Sequence, residues 1–117
     1  MEHSDRLNLS FHALADPTRR GIVGLLIEQR QRRISDLAEP FSMSLAAVSK
    51  HIRVLEKAEL VTRVKRGREY YLQLNVNPLR EVGDWVGFYE QFWKQRFTKL
   101  ESMLAMENPE HKQGESK

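Results

Sequence analysis

Residues 44 to 76 restrict the fold more than any other stretch, because a helical period there gives way abruptly to a period of two. Ser44 can cap a helix over 45–58 whose apolar positions Val48, Ile52 and Leu55 fall four and three apart, one buried stripe. From Val61 to Val76 β-branched and aromatic residues flank the break Arg66-Gly67-Arg68, which reads as a hairpin with a cationic tip. Tyr70, Leu72 and Leu74 share one face of the returning strand, and Val64 is expected to point inward opposite them. One helix and one hairpin cannot enclose a core alone, so the flanking sequence must supply the rest.

Upstream, Leu7, Phe11, Leu14 and Ala15 have helical spacing over 4–15. Asp16-Pro17 restarts the chain, the aspartate as a cap and the proline at the first helical position. Ile22, Val23, Leu25, Leu26 and Ile27 form the expected buried side of that second helix, which ends in the polar run 28–33. Ser35 can cap a short third helix over 36–41, with Leu37 and Ala38 inward and Pro40 stopping it. Residues 41–44 then form a tight connection. Downstream, Asn77-Pro78 opens a last helix over 79–105. Residues 107–117 hold no apolar side chain and read as a disordered tail.

The expected fold is mainly α with a small β-hairpin, five helices and a two-stranded wing: a winged helix-turn-helix in one domain over 1–106. A chain of 117 residues has the length for one such domain. Without cysteine it can form neither disulfides nor thiolate metal sites. No apolar run is long enough to span a membrane, and the N-terminus carries no basic segment followed by an apolar one. A cytoplasmic location is expected.

Charge is distributed unevenly. Residues 18–68 hold twelve Lys and Arg against five acids, a surplus of +7, while the remainder carries −4, giving the net +3. A basic middle between acidic ends is the footprint of a polyanion binder. An α-helix fills the major groove of B-DNA, and the residues that the stripe leaves on the helix over 45–58 suit that position. Ser44, Ala46 and Ala47 are small enough for close approach, and an alanine methyl can meet a thymine methyl. Ser49 can donate or accept, while Lys50 and Arg53 are the long cations, the arginine able to bond guanine with two donors. Lys65, Arg66 and Arg68 supply charge for phosphates from the hairpin tip. The partner is therefore expected to be a double-stranded DNA operator.

Asp16-Pro17-Thr18-Arg19-Arg20, the segment from Ser49 to Val61 and the hairpin sequence Arg66-Gly67-Arg68-Glu69-Tyr70-Tyr71-Leu72 resemble the ArsR family of bacterial transcriptional regulators. The similarity spans about residues 7 to 105, and the segment 49–61 is its most specific part. The resemblance implies a homodimeric winged-helix repressor that binds a twofold-symmetric operator and releases it on a signal. Glu59 departs from the family pattern, which usually has glycine at that helix end.

Metal sensing, which the family brings to mind, needs three or four converging ligands. There are no cysteines around Leu37-Ala38-Glu39, and the last helix offers Glu81, Asp84, Glu90 and Glu101 without a histidine. His3, His12, His51 and His111 are scattered, so neither a metal nor another cofactor is expected.

The last helix is instead rich in aromatics: six of the chain's ten fall between 85 and 97. At about 100° per residue its apolar set sweeps roughly half the cylinder, more than one packing face needs. A second copy of the chain is the simplest cover. The expected dimer interface is Trp85, Phe88, Tyr89, Phe92, Trp93 and Leu100, helped by Leu7 and Phe11. Trp85, Tyr89, Phe92 and Trp93 are also the place for a pocket that takes a small apolar effector. The alternative reading of the chain is a winged-helix protein-interaction module docking partners through this helix. An enzyme is not expected: no nucleophile sits beside a histidine at a suggestive spacing, no glycine-rich phosphate loop is present, and no paired acids stand out.

Overall fold

The computed structural model describes residues 3–107. Two compact units divide it, one ending at Val82 and the other beginning at Gly83.

The first unit opens with α1 (His3–Leu14) and α2 (Pro17–Glu28). Asp16 caps α2 as its sequence requires: its carboxylate accepts from the Arg19 backbone N–H at 3.1 Å, and Pro17 occupies the first turn. Ile22, Val23 and Leu26 are buried, whereas Ile27, expected inside, is 61% exposed because it falls on the flank of that stripe. A short strand β1 (Gln31–Arg33) follows. The third helix takes the form of two successive 3₁₀ turns, Ile34–Asp36 and Glu39–Phe41. Ser35 does not cap the first, which starts from Arg33 without a side-chain bond, and Pro40 lies at the start of the second rather than at its end. Leu37 is fully buried between them.

α3 (Leu45–Lys57) begins at Ser44, whose Oγ accepts from the Ala47 N–H at 3.1 Å. Val48, Ile52 and Leu55 are completely buried, as their spacing predicts. The helix ends with the Glu59 N–H bonded to Glu56 O at 2.9 Å and the Leu60 N–H to Leu55 O at 3.0 Å. That paired closure needs a left-handed residue, and Glu59 supplies it at φ +62°.

β2 (Val61–Arg66) and β3 (Glu69–Leu74) form the hairpin, turning at Gly67 with φ +64°. β1 adds to the other side of β3, giving an antiparallel sheet in the order β1-β3-β2. The register corrects one expectation. Val61 opposes Leu74 on the core face, whereas Val64 opposes Tyr71 on the other face, and Tyr70 is 48% exposed towards the tip. The core gathers Ala13, Ile22, Leu26, Leu37, Val48, Ile52, Leu55, Leu60, Leu72 and Leu74 around α3.

α4 (Val76–Glu107) starts in the first unit, and from Gly83 it forms the described part of the second. None of its residues is buried. The tail expected over 107–117 lies outside the described residues from 108 onward; Glu107 ends α4.

Candidate nucleic-acid interface

At 100° per residue, the buried stripe of α3 leaves Ala46, Lys50, Arg53 and Lys57 on the opposite side, and all four are exposed. Ala47 and Ser49 flank that face and are half-buried, while Ser44, also exposed, spends its acceptor on the cap and keeps its hydroxyl proton to donate. Of the residues expected to read bases, Ala46, Lys50 and Arg53 therefore share the outer face, Ala47 and Ser49 stand at its two edges, and Ser44 sits at the cap.

Twelve basic residues lie between 18 and 68. Half of them are used inside the fold. Arg19 donates from Nε to Ala13 O at 2.6 Å and from a terminal nitrogen to His12 O at 3.3 Å, and Arg20 donates to Leu14 O at 2.9 Å, so the pair closes the carboxyl end of α1. Arg30 reaches Leu74 O, and Arg32 reaches Leu25 O. Arg33 pairs with Glu69 at 2.6 Å. Arg63 grips Glu56 with two bonds, 3.0 and 3.2 Å, tying the base of the hairpin to α3.

The other six are Lys50, Arg53 and Lys57 on α3 and Lys65, Arg66 and Arg68 at the wing tip. None of them pairs with an acid among the described residues. Lys65 and Arg66 lie over the rings of Tyr70 and Tyr71, 5.7 and 5.6 Å from the centroids, which steadies the tip while leaving the charge in solvent. Charge left unpaired on a helix face and on an adjacent loop is free to be neutralised by phosphates.

The base of α3 is fixed by a cluster that its sequence did not disclose. His51 Nδ1 lies 3.7 Å from Asp16 Oδ2 and 3.4 Å from an Arg19 nitrogen. Asp16 is held below the usual carboxylate range, chiefly by the Arg19 N–H and also by His51, with its partial burial opposing. His51 thus joins α3 to the start of α2.

On α4 the six aromatics follow one another as ring contacts. Trp85 stacks on Tyr89 with centroids 4.2 Å apart, and edge contacts link Tyr89 to Phe92 at 6.0 Å and Phe92 to Trp93 at 5.3 Å. Phe88 is 69% exposed and Trp93 44%. A shallow apolar concavity of about 340 Å³ lies among Trp85, Val86, Tyr89, Glu90, Trp93 and Phe97. Of the remaining interface candidates, Leu100 is exposed, Phe11 is half-buried, and Leu7 is 8% exposed within the single chain.

Among the described residues, no three His, Asp or Glu side chains come together as a metal ion requires, and no helix is long and apolar enough to cross a membrane.

Residues 14–64 match a family of helix-turn-helix domains. The chain is similar to the transcriptional repressor SdpR of Bacillus subtilis (strain 168), 34% identical over 80 residues that cover 68% of this chain and 88% of that one. A crystal structure of an ArsR family transcriptional regulator superposes with a TM-score of 0.69 at 34% identity, covering 80% of this chain and 95% of its own. An ArsR-like transcriptional regulator from Rhodococcus sp. RHA1 gives 0.66 at 27% identity over 86% of this chain and 93% of its own.

Proposed function

Because the chain belongs to the ArsR family of DNA-binding transcriptional regulators, we propose that it acts as a homodimeric repressor reading a palindromic operator through α3 and the wing. The observation that carries this reading is the division of the basic residues between 18 and 68: among the described residues six have carbonyl or carboxylate partners within the fold, and the six without lie on the outer face of α3 and at the wing tip. Ser44, Ala46, Ala47, Ser49, Lys50 and Arg53 read base edges. Lys65, Arg66 and Arg68 hold phosphates.

Dimerisation follows from the exposed aromatic face of α4, with Trp85, Phe88, Tyr89, Phe92, Trp93 and Leu100 in the seam and Leu7 and Phe11 beside it. Apolar area of this extent costs free energy in water until it is covered. A second copy also supplies the second reading helix that a twofold operator demands. In this reading regulation is not metal-responsive, which the lack of a ligand cluster among the described residues supports; a small apolar effector on the concavity of α4 is the alternative occupant of the seam.

The test is selection of bound fragments from random duplex by the purified protein, with and without added metals. Recovery of one inverted repeat, unchanged by metals, supports the reading. Failure to enrich any sequence, with retention of another protein on the aromatic face, would replace it with a protein-docking role.

A further inference from the structure

A cleft of about 360 Å³ separates the first turns of α3 from the inner side of the wing, and its occupant can be derived from the shape of DNA. Leu45 and Ser49 line it from α3, Arg63, Arg68 and Tyr70 from the hairpin, and Arg33 and Ser35 from the segment between. Three guanidiniums face a single carboxylate, Glu69, so the lining has a surplus of positive charge. Arg63 and Arg33 are already held by Glu56 and Glu69, which fixes the walls, while each keeps terminal N–H groups to donate. Arg68 has no such partner among the described residues.

Adjacent grooves of a duplex are separated by one sugar–phosphate strand. A protein with a helix in the major groove and a hairpin reaching alongside it straddles that strand, which must then run through the gap between the two elements. Here the gap is this cleft. We propose that the cleft is a phosphodiester-backbone site in which Ser35, Ser49 and the Tyr70 hydroxyl donate to phosphate oxygens, Arg68 supplies the free charge, and Leu45 and the Tyr70 ring form an apolar floor for the sugar. Leu45 and Tyr70 are 47% and 48% exposed, and the Tyr70 ring that lies under Lys65 is left open on its cleft side. Ser35 and Tyr70 thereby join the interface beside the cations of the wing tip. The inference rests on the DNA-binding reading, and it adds a strand position that neither α3 nor the tip alone would define.

The experiment uses the full chain and the duplex it selects, with each phosphate replaced in turn by an uncharged methylphosphonate. For the wild type, one or two adjacent positions in each half-site should weaken binding about tenfold, the value of a hydrogen bond to a charged group. Tyr70→Phe and Ser35→Ala, changes at exposed positions, should each weaken the natural duplex several-fold and no longer respond to methylphosphonate at those same positions, while responding elsewhere as the wild type does. Variants that bind the natural duplex like wild type, or whose losses simply add to those of every methylphosphonate, would overturn the cleft as a backbone site and leave the DNA-binding reading standing. A wild type that binds no duplex would overturn both.

Discussion

Replacing Glu59 by glycine should stabilise the protein, and the size of the gain can be worked from the end of α3. Glu59 holds φ +62° because Leu60 and Glu59 must both turn their N–H groups back onto α3, at 3.0 and 2.9 Å. An L-residue in the left-handed region costs about 1–2 kcal/mol. Glycine removes that cost but loses about 0.5–1 kcal/mol through the greater freedom of its unfolded chain, so Glu59→Gly should gain roughly 0.5–1 kcal/mol. The side chain is exposed, and no hydrogen bond or ion pair holds it among the described residues. Its backbone carbonyl also accepts from Asn75 Nδ2 at 3.0 Å, and glycine keeps both this bond and that of the N–H. Glu59→Ala is the reference: it removes the carboxylate and retains the strain, so its stability should remain within about 0.5 kcal/mol of the parent. Urea unfolding at one fixed protein concentration measures all three, since association would otherwise shift the midpoints. A glycine variant no more stable than the alanine variant would refute the reasoning about the left-handed turn.

Four other substitutions bear on separate parts of the account. Gly24→Ala, inside α2 with nothing within 4 Å of the added methyl, should gain about 0.5–1 kcal/mol. Gly21→Ala should fall at least about 1 kcal/mol short of it, because its methyl would come 2.6 Å from the Phe41 ring; denaturant melts decide the order. Asp16→Asn keeps a capping oxygen but loses the charge facing the Arg19 N–H and His51. Since the folded carboxyl titrates below its ordinary 3.8, its contribution is present above that pH and disappears as pH falls through the folded value; the variant's deficit, read by melts across pH, should therefore vanish in acid. Trp93→Asp puts a carboxylate into the proposed seam and should give a monomer on a sizing column with weakened operator binding, whereas a variant that remains dimeric would place the seam elsewhere.

The elements legible in the sequence were those in which a local rule and the tertiary packing agree. Asp16 and Ser44 cap their helices because a short acceptor before a helix has one good use, and Val48, Ile52 and Leu55 are buried because their spacing leaves them no other face. Features set by distant partners were not legible. β1 is three polar residues, Gln31-Arg32-Arg33, with no alternation to announce it; it exists because β3 has a free edge, on which Gln31 meets Gln73 with a 2.8 Å side-chain bond. Alternation leaves the register of β2 open, so the sequence does not reveal that Val64 faces away from the core; the pairing of Val61 with Leu74 decides it. The same holds for the interface. Its cations could be named from the sequence, but Arg19 and Arg20 could not be told from Arg66 and Arg68 until the carbonyls of α1 were seen to occupy them. Nor could Arg63 be recognised as the brace between the wing and α3 before Glu56 came within reach.

The central claim, that unpaired cations on α3 and the wing meet the phosphates and bases of a duplex, is tested most directly by the salt dependence of binding. Log K should fall linearly with log salt for any duplex, by about 0.9 for each phosphate neutralised. Arg66→Ala with Arg68→Ala should flatten that slope by up to about 3.6 in a dimer and weaken all duplexes alike, while Lys50→Ala or Arg53→Ala should erode the preference for the operator over random DNA. Binding that does not respond to salt, or an operator preference lost with the wing pair and untouched by the helix pair, would contradict the account.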